Sequence, residues 1–194
     1  MTTSTFSLFF ALLSLAAVAG TVGAVVVLAA ARRRGSWMPM REDLRRVALP
    51  VAWVVAVVTT LGSLYMSEIA HFVPCALCWY QRIAMYPLAL LLGIATFRRD
   101  TAIRVYVIAQ CAVGGAIALY HASIQAFPPE SGTAFCTTEA PCTTRYVWEL
   151  GFISLPFMAL SAFVFIATLM VAVGPSRAVA LEPTSAPRTT GARA

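Results

Sequence analysis

Charge is what this sequence has least of. Only 11% of its 194 residues are charged and 60% are hydrophobic, whereas a soluble domain carries about 25% charged residues. With a mean hydropathy of +0.80, the chain cannot present a water-facing surface all round, which excludes an ordinary soluble domain. Histidine is scarce at two residues, and acidic residues number eight, so few donors are on hand for a metal centre of nitrogen and oxygen ligands. A polar domain with a clustered basic face is also missing. The net charge of +6 is therefore no sign of nucleic-acid binding.

What the chain has instead is long apolar runs. About 20 apolar residues cross the roughly 30 Å hydrocarbon core of a bilayer. Runs of that order fall near Phe6 to Ala31, Val47 to Met66, Trp79 to Phe97, Ala102 to Ile124 and Phe152 to Val173. Five transmembrane helices are expected. The first lacks the basic lead-in of a secretory signal, is long for one, and is followed by arginines, so a cleaved signal peptide is the weaker reading.

The arginines set an orientation. Arg32, Arg33, Arg34, Arg41, Arg45 and Arg46 lie between the first two runs, Arg98, Arg99 and Arg104 between the third and fourth, and Arg177, Arg188 and Arg193 in the tail. By the positive-inside rule these regions are cytoplasmic. The other side receives Arg82 and Arg145 with Glu68, Glu130, Glu139 and Glu149, so the N-terminus is expected outside and the C-terminus inside. Gly174 to Ala194 reads as a disordered cytoplasmic tail.

Four of the five cysteines fall on the outer side, Cys75 and Cys78 in the first outer loop and Cys136 and Cys142 in the second. Disulfides persist in such compartments, so two structural bridges, or one linking the loops, are a standing alternative. A Cys75–Cys78 bridge would close too small a ring to stabilise much. The pair instead opens a helix, after Pro74, where free N–H groups and the positive end of the helix dipole favour a thiolate. That pattern suits a reactive dithiol. A zinc knuckle is a third reading, disfavoured by the lack of nearby carboxylates or histidines other than His71 and by the wide Cys136 to Cys142 spacing. The latter pair, closing about seven residues, would stabilise by only roughly 2 to 2.5 kcal/mol and is suited to exchange with a soluble thiol protein.

Arg82 stands one helical turn after Cys78 and on nearly the same face. It can anchor to lipid headgroups, or hold negative charge on Cys78 and on an oxidant dissolved in the membrane. His121 and Gln125 end the fourth run at similar depth, where His121 could donate a proton or simply make interfacial hydrogen bonds. Cys111, among small residues in "AQCAVGGAIAL", reads as helix packing.

The segments "CALCWYQRIAMYP", "LYHASIQ" and "CTTEAPCTTRYVWELGFISLPFMAL" together resemble the bacterial DsbB family, in particular its BdbC-type members. The resemblance runs from about Arg41 to Val173. It implies an all-α integral membrane protein with a four-helix transmembrane bundle at residues 41–173, to which residues 1–40 add an extra N-terminal helix and basic linker and 174–194 a tail. It further implies a membrane thiol–disulfide oxidoreductase in the bacterial cytoplasmic membrane, which reoxidises a DsbA-like or BdbD-like thioredoxin-fold partner and passes electrons to a quinone, ubiquinone or menaquinone. By motif, Cys136 would meet the partner, Cys142 would exchange with Cys75, and Cys78 would face the quinone, with Arg82, Gln81 and His121 as quinone contacts. The short Cys136 to Cys142 spacing departs from the wider one of DsbB itself.

Overall fold

Each apolar run becomes a helix because inside a bilayer the backbone must satisfy its own hydrogen bonds. The computed structural model describes residues 3–129, 136 and 141–174. Its helices are α1 (Thr3–Arg33), α2 (Met38–Leu64), α3 (Ala76–Arg98), α4 (Arg104–Ala126) and α5 (Leu155–Val173). All five are long and apolar enough to span a membrane, and among the described residues there is no strand beyond one isolated bridge, Glu149 with Ile153. The protein is an all-α membrane bundle: four helices, α2 to α5, with α1 as a fifth. Glu130, Glu139 and the tail from 175 onward lie outside the described residues.

Two boundaries differ from the hydropathy reading. The second helix begins at Met38, not near Val47, so Arg41, Arg45 and Arg46 ride on its first turns and not in a linker. Pro39 suits the opening turn, and the exposed Glu42 and Arg46, 3.9 Å apart at i,i+4 spacing, let the helix continue beyond the apolar stretch. The fifth helix starts later, at Leu155, because Leu150 and Gly151 adopt positive φ (52° and 80°) in a turn closed by Glu149 N–H to Ile153 O at 2.9 Å.

The C-terminal end of α2 runs into a π-helical turn, Tyr65–Ile69. Contacts place the start of α1, the end of α2, the start of α3, the end of α4 and the start of α5 at one end of the bundle: Phe6 stacks on Tyr65 at 3.7 Å, and His121 reaches Cys75. The arginines at 32–34, 98, 99 and 104 flank helix termini at the opposite end.

Midway, α3, α4 and α5 meet around Leu88, Leu92, Cys111, Phe163, Ile166 and Met170, all buried. Cys111 is free and acts as the packing residue its small neighbours suggested. Gly114 allows the close approach: a methyl group there would run into the buried Phe163 ring and lie 2.9 Å from Ala84 Cβ. At Gly115 the nearest neighbours would be 3.8 and 3.9 Å away, an ordinary contact. Gly114→Ala should therefore cost about 1–3 kcal/mol through overpacking and lower the melting temperature in detergent, while Gly115→Ala leaves it nearly unchanged. Equal melting temperatures for the two variants would contradict this packing.

Candidate functional site

Cys75 is the residue before α3, with extended backbone, and its sulfur accepts the N–H of Cys78 at 3.4 Å. This is an N-cap in which sulfur fills the place usually taken by oxygen. The Cys75 and Cys78 sulfurs are 3.0 Å apart, both thiols, so a bond between them needs little movement. Cys136 and Cys142 are bonded to each other, with Cα atoms 5.7 Å apart. All four cysteines belong to one apolar cluster with Leu77, Ile117 and Ile124. Among the readings left open by spacing, a bridge linking the two loops is not the arrangement found.

The segment from Cys142 to Tyr146 is held over the start of α3 and the end of α4 by polar and stacking ties. His121, buried on α4, brings Nε2 to 3.0 Å from the Cys142 carbonyl and 3.8 Å from the Cys75 sulfur. A carbonyl only accepts, so Nε2 carries a hydrogen. In the neutral ring Nδ1 then accepts from Gln81 Nε2 at 3.0 Å. Gln125 donates to the Thr144 carbonyl at 3.0 Å, Arg145 donates to the Gln125 carbonyl, and Phe72 stacks on Tyr146 at 4.9 Å.

On the membrane side of Cys78 lies a cavity of about 350 Å³, walled mainly by apolar side chains of α1, α2, α3 and α5. Cys78, Gln81 and Arg82 line its outer part. Arg82 is half-buried, donates to the Ser63 carbonyl at 3.1 Å and lies over the Trp79 ring at 5.2 Å. His121 does not line this cavity. It borders a much smaller space, shared with Cys75, Cys78 and Thr144, on the loop side. Cys78 thus borders both spaces, and Gln81 joins the cavity to His121.

Of the two thiols it is Cys75 that is shifted down, whereas the Arg82 argument from sequence placed negative charge on Cys78. The hydrogen bond from Cys78 does most to hold the Cys75 thiol well below the ordinary cysteine range, with His121 and the Cys78 N–H assisting against the opposing effect of burial. The His121 contact has no local sequence signal, since His121 is 46 residues from Cys75.

Two cysteine pairs packed together at one end of a membrane-spanning bundle define an integral membrane thiol–disulfide oxidoreductase. The family model for disulfide bond formation protein DsbB matches residues 45–173, from the early turns of α2 to the end of α5, and the chain belongs to that family. It is 49% identical over 126 residues to disulfide bond formation protein C of Bacillus subtilis (strain 168), covering 65% of this chain and 91% of the relative. With probable disulfide formation protein C 1 of Bacillus cereus it shares 45% identity over 127 residues, 66% of this chain and 91% of the relative. A probable disulfide formation protein of Coxiella burnetii is 36% identical over 135 residues, 69% and 92% of the two chains. No solved structure matches the chain.

The charge on Cys75 gives a pH prediction. Cys75 should remain a thiolate well below the ordinary cysteine range, so reactivity resting on it is lost only as pH falls through that lowered value. In a Cys136→Ser/Cys142→Ser variant, far-ultraviolet thiolate absorbance should show one acidic transition, moved upward by Cys78→Ala. A midpoint near the ordinary cysteine value of about 8.5 would contradict the assignment.

Proposed function

We propose that the protein oxidises a thioredoxin-fold partner of the DsbA or BdbD kind on the outer face of the bacterial cytoplasmic membrane and delivers the electrons to a membrane quinone. The observation that carries this reading is the position of Cys78, between the cysteine cluster and the apolar cavity. The segregation of arginines to the other end supports an orientation with the cysteines and N-terminus outside and the C-terminus inside.

A partner thiolate attacks the Cys136 sulfur of the Cys136–Cys142 bond and releases Cys142 as a thiolate; the partner's second thiol then resolves the mixed disulfide. The partner leaves oxidised and the loop pair is a dithiol. Cys142 next attacks Cys75 of the Cys75–Cys78 disulfide and Cys78 departs as a thiolate. Attack of Cys136 on Cys142 restores the loop bond and leaves Cys75 and Cys78 reduced. The Nε2–H of His121, shared between the Cys142 carbonyl and Cys75, positions the two loops and stabilises charge on Cys75. Gln81 holds the imidazole in place.

The residues present fit a quinone. Their cavity of about 350 Å³ is within the usual range for small-molecule sites, roughly 300 to 1,000 Å³, and it combines apolar walls with a guanidinium beside a redox sulfur. The chemistry a bound quinone supplies is two-electron, two-proton reduction to the quinol, which balances closure of the Cys75–Cys78 bond. Arg82 offers a fixed positive charge to oxygen that becomes negative, in surroundings that screen it little.

One observation favours a second reading, metal binding: ligand atoms of Cys75, Cys78 and His121 lie within 4.8 Å of one another. The two readings separate in a single assay, turnover of a reduced partner by purified protein with and without added quinone. Quinone-dependent turnover is expected. Arg82→Ala should impair it at least about tenfold, the scale of one lost charge-assisted hydrogen bond, with partial recovery in Arg82→Lys and no loss of single-turnover exchange without quinone. Unchanged quinone kinetics in Arg82→Ala would return that residue to a headgroup anchor. Stoichiometric zinc binding by a protein without quinone-dependent turnover would favour the metal reading.

A further inference from the structure

Helix α1 precedes the region matched by the family model, which begins at residue 45, yet it is built into the cavity. Phe10, Leu13, Ser14 and Ala17 form part of the wall, opposite Val55, Gly62 and Ser63 of α2 and Met158 and Ala162 of α5. The two sides of α1 differ. Ala11, Ser14, Ala24 and Ala31 are buried against the bundle, while Leu12, Val22, Val25 and Val26 are half or more exposed on the other side.

The docking is matched by glycines on both partners. A methyl group at Gly62 of α2 would overlap the Phe10 ring, and one at Gly20 of α1 would come within 2.9 Å of the Phe165 ring of α5. At the outer end Ser7 Oγ donates to Glu149 Oε1 at 2.6 Å, and Phe6 stacks on Tyr65. These contacts hold α1 across the seam between α2 and α5 at the depth of Arg82. Along α2 the cavity extends from Val54 to Ser63, about 13 Å of helix, and against it α1 sets the small side chains of Ser14, Ala16 and Ala17 beside Phe10 and Leu13.

We propose that α1 is the lipid-side wall of the oxidant chamber, and that positions 14 and 17 set the bulk of the quinone the protein accepts. The inference rests on the quinone reading above. It assigns to α1 a specificity role: the residues facing the chamber determine binding of the oxidant without taking part in thiol exchange. Large side chains at these positions occupy the space required by the ring or the first units of its isoprenoid tail.

The test uses the full-length protein with Ser14→Leu and Ala17→Phe, and Val22→Phe as a control on the bilayer side, where Val22 is 59% exposed. Quinone kinetics are measured with a short-tailed and a long-tailed benzoquinone, alongside quinone-free single-turnover oxidation of the partner. The chamber variants should raise the quinone KM about tenfold or more, the scale of steric discrimination in an apolar pocket, with single-turnover exchange intact and the control unchanged. A photoreactive quinone should label the peptide containing residues 10–17. Wild-type KM in both chamber variants would overturn the inference and leave the quinone reading standing. Equal effects in the Val22→Phe control, or loss of single-turnover exchange, would make α1 a structural support and overturn it as well. Wild-type turnover that does not depend on quinone would overturn both readings.

Discussion

Everything at the cysteine end of this bundle depends on four cysteines sharing one apolar cluster while a buried imidazole ties the Cys142 backbone to the start of α3. His121 donates to the Cys142 carbonyl and lies against the Cys75 sulfur, so one side chain touches both cysteine pairs' segments. Thiol exchange requires a sulfur to approach a disulfide along its axis. A loop free to wander would seldom present it, and the Gln125, Arg145 and Tyr146 contacts restrict the same segment. The low-dielectric surroundings that make an unpaired polar group costly make these hydrogen bonds effective restraints.

The same end of the bundle joins two solvents. Cys75 is placed by the N-terminus of α3, with the backbone N–H of Cys78 supporting its charge, and one turn of helix carries the chain past Cys78 to Arg82 at the cavity. A helix start is suited to this task because its first N–H groups have no partners within the helix. The guanidinium is held beside the cavity by the Ser63 carbonyl and the Trp79 ring, with a planar set of donors that lysine lacks.

Helix number and the segregation of arginine were legible in the sequence because hydropathy and charge act over whole segments. The start of α2 was not, since residues 38–46 carry five charges and no apolar run, and their helix follows from Pro39 at its opening, a Glu42–Arg46 pair and Leu44 packed on the core. The reactive pair could be read from its spacing and its place at a helix start. Its charge distribution could not, because that depends on which thiol caps the helix and on a histidine 46 positions away. Position along α4 suggested that His121 lies at the depth of Arg82; only packing revealed that Gln81 stands between it and the cavity. The contribution of α1 to the cavity was hidden for the same reason, as its small residues read equally well as ordinary helix packing.

The central claim is that the two cysteine pairs are close enough to exchange directly. The most direct test is a Cys78→Ser/Cys136→Ser variant, which leaves Cys75 and Cys142 as the only outer thiols. Mild oxidation followed by peptide mapping should find them joined in nearly all molecules, in membranes and in detergent alike. Cys75 and Cys142 remaining separate thiols under those conditions, in a protein whose helices and melting temperature are otherwise unchanged, would contradict the account.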